Sequence, residues 1–94
     1  MARKRRRRTV YIADQRWKVE RRPLRGKYGE CDYGSKTISL HSRIHGVELL
    51  DTILHELIHA RWPDLHEEAV AEFSETLSGF LDAEGFRHVD EHEE

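Results

Sequence analysis

Ninety-four residues, 37% hydrophobic and 36% charged, suffice for one small domain with a modest core and leave no length for a second. A single cysteine, Cys31, excludes an intramolecular disulfide and any thiolate metal cage, so a bound metal would need histidine and carboxylate ligands. The formal net charge of -2 conceals an asymmetry: 13 of the 16 Lys and Arg residues lie in positions 1 to 36, and 14 of the 18 acids lie after them. Such a layout suits either a basic front end that meets nucleic acid or a basic half that neutralises an acidic half within one fold.

Arg3, Lys4, Arg5, Arg6, Arg7 and Arg8 are six basic side chains in a row. They repel one another and bury nothing, so residues 1 to 8 are expected to be a disordered arm, either a weak tether to phosphate backbones or a solvated tail. No aromatic is interleaved among them to stack on bases. Thr9 to Asp14 is too short and too polar for a signal-peptide core, and no apolar run approaches a membrane span. The expected location is cytoplasmic, with no membrane partner.

From Thr9 to Leu24 the pattern is β-like. Val10 and Ile12 alternate with polar residues, as do Trp17 and Val19, and Asp14-Gln15 marks a turn between them, predicting a hairpin with one buried face. A short strand over 28 to 31, a turn at Asp32-Tyr33-Gly34-Ser35 and an alternating strand over 37 to 40 follow. This last strand, just upstream of the main helix, has two readings: an edge that pairs an extended peptide or, as the favoured one, an ordinary internal strand. Cys31 is expected to be a small packing residue. His41 and His45, four apart but without an apolar face, are expected at the surface or the helix entry.

A helix is predicted from about Gly46 or Val47 to Trp62, where Pro63 limits it because the residue before proline avoids helical geometry. Leu49, Leu50, Ile53, Leu54, Leu57 and Ile58 cover most of its circumference, which predicts burial. Into this apolar run is set Leu54-His55-Glu56-Leu57-Ile58-His59-Ala60. At 3.6 residues per turn, His55 and His59 share a face and can offer two imidazoles to one ion. Polar side chains inside a buried helix need polar partners, and a metal with its water supplies them. Glu56, one step round, is placed to take a proton from that water. Asp51, four residues before His55, is on the same face and has two equal readings, a carboxylate that orients its ring or an exposed helix acid.

Pro63 to Glu68 opens a second helix, with Asp64 or His66 at the cap and Val70, Phe73, Leu77, Phe80 and Leu81 as its core face. Gly85 ends it, Phe86 is expected to fold back on the core, and residues 88 to 94 are an acidic tail. A third ligand has three candidates. On that core face His66 projects near the centre, Glu67 on the flank and Glu68 nearly opposite. Glu67 is favoured, His66 is the alternative or a nearby oxyanion stabiliser, and Glu68 comes last. A helix-capping carboxylate competes as an explanation of Glu67.

Thr52-Ile53-Leu54-His55-Glu56-Leu57-Ile58-His59-Ala60 resembles the active-site helix of zincin metallopeptidases, with uncharged residues at 53, 57, 58 and 60; Arg61 departs from the usual apolar residue. A strand, the HExxH helix and a short acidic helix are together similar to the compact SprT-like and ImmA/IrrE-like groups, over roughly residues 28 to 81. The resemblance implies one Zn2+ held by His55 and His59, with Glu56 as general base, and a glutamate ligand on the second helix would make the chain gluzincin-like. The spacing is not the HExxHxxGxxH of metzincins. The expected fold is therefore α+β: a small antiparallel or mixed sheet, then the HExxH helix and a C-terminal helix, as one domain over 9 to 87. The expected function is a zinc-dependent metallopeptidase acting on a protein or peptide substrate. The alternative is a non-catalytic, zinc-stabilised binding module, nucleic-acid-associated through the basic arm.

Overall fold

The computed structural model describes residues 7–88. Six elements follow in order: β1 (Arg7–Ile12), β2 (Gln15–Arg22), β3 (Gly29–Asp32), β4 (Thr37–His41), α1 (Gly46–Arg61) and α2 (Glu67–Ala83). The fold is α+β, with one mixed four-stranded sheet in the order β1-β2-β4-β3 followed by two helices. Strands β1 and β2 form an antiparallel hairpin, β2 runs parallel to β4, and β3 lies antiparallel on the far side of β4.

The hairpin turn sits one residue earlier than expected, at Ala13-Asp14, both at positive φ (50° and 66°). A two-residue loop of this hand matches the twist of the flanking strands, so Gln15 is already paired with Ile12. Strand β1 begins at Arg7, which corrects the boundary of the arm. Arg7 and Arg8 are drawn into the ladder opposite Glu20 and Val19, because backbone pairing is indifferent to their charge while their side chains stay exposed. The rest of the arm, Arg3 to Arg6, and the tail beyond His88 lie outside the described residues.

Alternation puts Val10, Ile12, Trp17, Val19, Ile38, Leu40, Gly29 and Cys31 on one face of the sheet. Trp17, Ile38, Leu40, Ile44 and Leu49 form the core, with Ile53, Leu57 and Ala60 of α1 packed against it. Truncating Trp17 to alanine here would cost about 3–5 kcal/mol. The edges of the sheet are β1 and β3, so β4 is internal, the favoured of its two readings. The edge that borders α1 is β3.

Helix α1 packs on β3 and β4 and also carries α2, which explains its near-continuous apolar circumference. Resting on α1 rather than on the sheet, α2 has a narrower inward face than predicted. That face is Val70, 1% exposed, with buried Ser74 and Ser78 and half-buried Leu77 and Leu81. Phe73 and Phe80, expected in the core, are 55% and 63% exposed. Small side chains let two helices approach closely, and each serine hydroxyl donates to a carbonyl three residues back (Ala71 and Glu75), so neither leaves a polar group unpaired. Helix α2 ends at Ala83, with Gly85 at φ 96° closing the turn as expected. Phe86 is exposed rather than folded into the core, although it borders an apolar depression with Val47, Leu50 and Ile53.

Candidate metal centre

The stop after α1 sets the geometry of the site. Trp62 caps α1 by donating its N–H to the Ile58 carbonyl, and the Leu65 N–H donates back to the Trp62 carbonyl, closing a tight turn through Pro63-Asp64. Asp64 is thereby used up in the turn and is not the cap of α2. That position belongs to His66, whose Nδ1 accepts from the Glu68 N–H at 3.1 Å. The first residue of α2 proper is Glu67.

From there Glu67 reaches back over α1. Its Oε2 lies 3.1 Å from His55 Nε2 and its Oε1 2.7 Å from His59 Nε2, one carboxylate spanning both imidazoles. The two rings stand 4.8 Å apart, centroid to centroid, inclined at 63°. One donor atom from each of the three side chains falls within 4.8 Å of the others, which places His55, His59 and Glu67 as a converging group. Neither His66 nor Glu68 joins it; the first is committed to the cap and the second continues the helix. The donors suit zinc, which takes imidazole nitrogen and carboxylate oxygen and keeps a further position open in catalytic sites. Both histidines are half-buried, while the Glu67 side chain is 65% exposed, so the group opens to solvent on the α2 side.

Glu56 stands beside this group on the sheet side of α1 and is 7% exposed. Burial pushes its carboxyl above the usual range and Glu67 pushes the same way, while His55 and His59 oppose the rise. Its pocket is made by β3. A Cβ on Gly29 would lie 2.7 Å from Thr52 Cγ2 and 3.0 Å from Glu56 Oε2, so only glycine lets this strand lie so close to α1. The Cys31 thiol donates to the Glu56 carbonyl at 3.5 Å, and the Tyr33 hydroxyl to the His59 carbonyl at 3.1 Å. Burial pushes the Cys31 thiol up to about 12, in keeping with a packing role. Gly29, Cys31 and Tyr33 thus track the motif along α1, a role not assigned to Gly29 or Tyr33 from the sequence. The available signal was a glycine at the head of a strand, which marks close backbone approach.

Asp51, half-buried, fits neither of its two readings. Its Oδ1 is buried without a hydrogen-bond partner among the described residues, and it makes no bond to His55. Side chains on a helix lean towards its N-terminus, so a short carboxylate four residues upstream leans away from that ring. His41 and His45 sit at the entry to α1 as expected, His41 Nδ1 accepting from the Arg43 N–H and His45 at the cap position. No helix among the described residues is long and apolar enough to cross a membrane.

No protein-family model, curated protein or solved structure matches this chain. The functional reading therefore rests on the site.

Proposed function

We propose that this chain is a minimal zinc-dependent metallopeptidase of the zincin type. The single observation that carries the reading is the convergence of His55, His59 and Glu67 beside the buried carboxylate of Glu56. When held by the three side chains, a zinc ion supplies positive charge that acidifies a water molecule and polarises a peptide carbonyl.

Glu56 then acts as the proton carrier. It accepts a proton from the water whose oxygen bonds to the carbonyl carbon, and returns it to the nitrogen as the C–N bond breaks, leaving a carboxylate and an amine. Gly29 keeps Glu56 close to β3, and the Thr52 hydroxyl donates to the Glu48 carbonyl. The outer edge of β3 borders the site, and its unpaired main-chain groups can hold an extended peptide beside the histidines.

The test measures bound zinc and hydrolysis of unstructured peptides by the wild type and by Glu56→Gln. The wild type is expected to bind one zinc and cleave; the variant should keep zinc and lose about 10²- to 10⁴-fold in rate. Absence of zinc, or equal cleavage by both proteins, sinks the proposal. Zinc binding without turnover by the wild type would instead favour the non-catalytic, zinc-stabilised module.

A further inference from the structure

The face of the sheet turned away from the helices carries Arg7, Thr9 and Tyr11 on β1, and Arg16, Lys18, Glu20 and Arg22 on β2. The register sets Tyr11 opposite Arg16, Thr9 opposite Lys18 and Arg7 opposite Glu20. Tyr11 is 68% exposed, more than any other large hydrophobic side chain among the described residues, and Arg7, Arg16 and Lys18 are exposed beside it.

Charge on this face is unevenly balanced. Glu20 and Glu30 are both engaged by Arg22, and Lys27 also pairs with Glu30. Among the described residues, no carboxylate pairs with Arg7, Arg16 or Lys18. Among the described residues, the acids of α1 and α2 lie on the other side of the sheet, because α1 packs on its inner face and α2 rests on α1. Arg3 to Arg6 run directly into β1, so the basic sequence feeds this same hairpin.

We propose that the outward face of the β1–β2 hairpin binds a single-stranded polynucleotide, with Tyr11 stacking on a base and Arg7, Arg16 and Lys18 holding phosphates. The occupant follows from the chemistry. Unpaired cations attract a polyanion, and a flat exposed ring among them adds what an acidic peptide does not need, a platform for a base. The aromatic missing from the basic run is supplied by the strand it enters. This inference does not depend on the peptidase reading.

The experiment titrates the full chain into a fluorescein-labelled 12-nucleotide oligodeoxythymidylate and follows anisotropy over a range of salt concentrations. Binding is expected, weakened about fivefold or more by Tyr11→Ala and retained by Tyr11→Phe. Arg16→Ser with Lys18→Ser should flatten the slope of log K against log salt by about 1.4, two phosphate contacts at about 0.7 each. Arg43→Ser, in the connection between β4 and α1, should leave affinity unchanged. Circular dichroism confirms that each variant folds. The proposal is overturned if the oligonucleotide does not bind, if Tyr11→Ala binds like the wild type, or if duplex DNA or polyglutamate competes as well as the single strand.

Discussion

His59 Nε2 and Glu67 Oε1 meet at 2.7 Å across a turn that contains Pro63 and no glycine. Proline ends α1, the Leu65-to-Trp62 bond reverses the chain, and the first residue of α2 is thereby delivered to the imidazoles. On the proposed reading zinc binds the folded state alone and should raise the melting temperature of the wild type. Glu67→Ala should abolish most of that rise and weaken zinc by more than the roughly 10- to 100-fold that removal of an outer partner costs. A zinc-induced shift as large in the variant as in the wild type would remove Glu67 from the site.

His66, one residue earlier, has a different task. As the cap of α2, its replacement by alanine should lower stability by about 0.5–2 kcal/mol while leaving zinc stoichiometry and affinity close to wild type. Urea denaturation and zinc titration on the same preparation separate the roles. A large loss of zinc with little loss of stability would show that the cap assignment is mistaken.

Gly29 bears on the fold and on the Glu56 carboxylate together. Gly29→Ala sets a methyl against Thr52 Cγ2 and Glu56 Oε2, and overpacking of this kind costs about 1–3 kcal/mol. Thr52→Ser removes the nearer atom, so the double variant should recover part of the stability. The contact to Glu56 persists, so on the proposed mechanism peptide cleavage should stay reduced. Independent, additive effects of the two substitutions on stability would contradict the contact.

Cys31 is predicted to be inert in the native protein. Because its thiol is pushed up to about 12, the reactive thiolate is scarce at pH 8, and iodoacetamide should label Cys31 much more slowly in the folded chain than in guanidinium. The linkage has one sign. The folded pKa lies above the ordinary thiol value of 9.0, so below pH 9 both states hold the proton and stability is unaffected; between pH 9 and about 12 only the unfolded chain loses it, and stability falls as pH rises. Cys31→Ala should reduce that alkaline loss, which denaturation at pH 8 and pH 10.5 can measure.

Much of this was legible from periodicity. Val10 and Ile12, Trp17 and Val19, and Ile38 and Leu40 alternate because one sheet face is buried, and all six lie on that face. Pro63 and Gly85 marked the ends of the two helices for steric reasons that hold in any context. The inward face of α2 is not legible in this way, since hydrophobicity alone favours Phe73 and Phe80 while the fold buries Ser74 and Ser78. What decides between them is the close approach of α1, a distance absent from the chain's own pattern. Which strand forms the edge beside α1 is not legible for a related reason: strand order is a matter of which strands meet, and a strand next to a helix in sequence need not be an edge in space.

Local chemistry therefore settled which residues of α1 could act together. His55 and His59 share a face and Glu56 lies beside them because helical geometry is short-range and leaves no choice. The sequence narrowed the partner of that pair to three neighbouring side chains, and only the folded turn selected Glu67 by committing His66 to a hydrogen bond and carrying Glu68 onward into α2. Gly29 is the same kind of case. Its lack of a side chain is written in the sequence, but what that space is for becomes visible only where β3 crosses α1, because contacts between distant segments depend on how the whole chain packs.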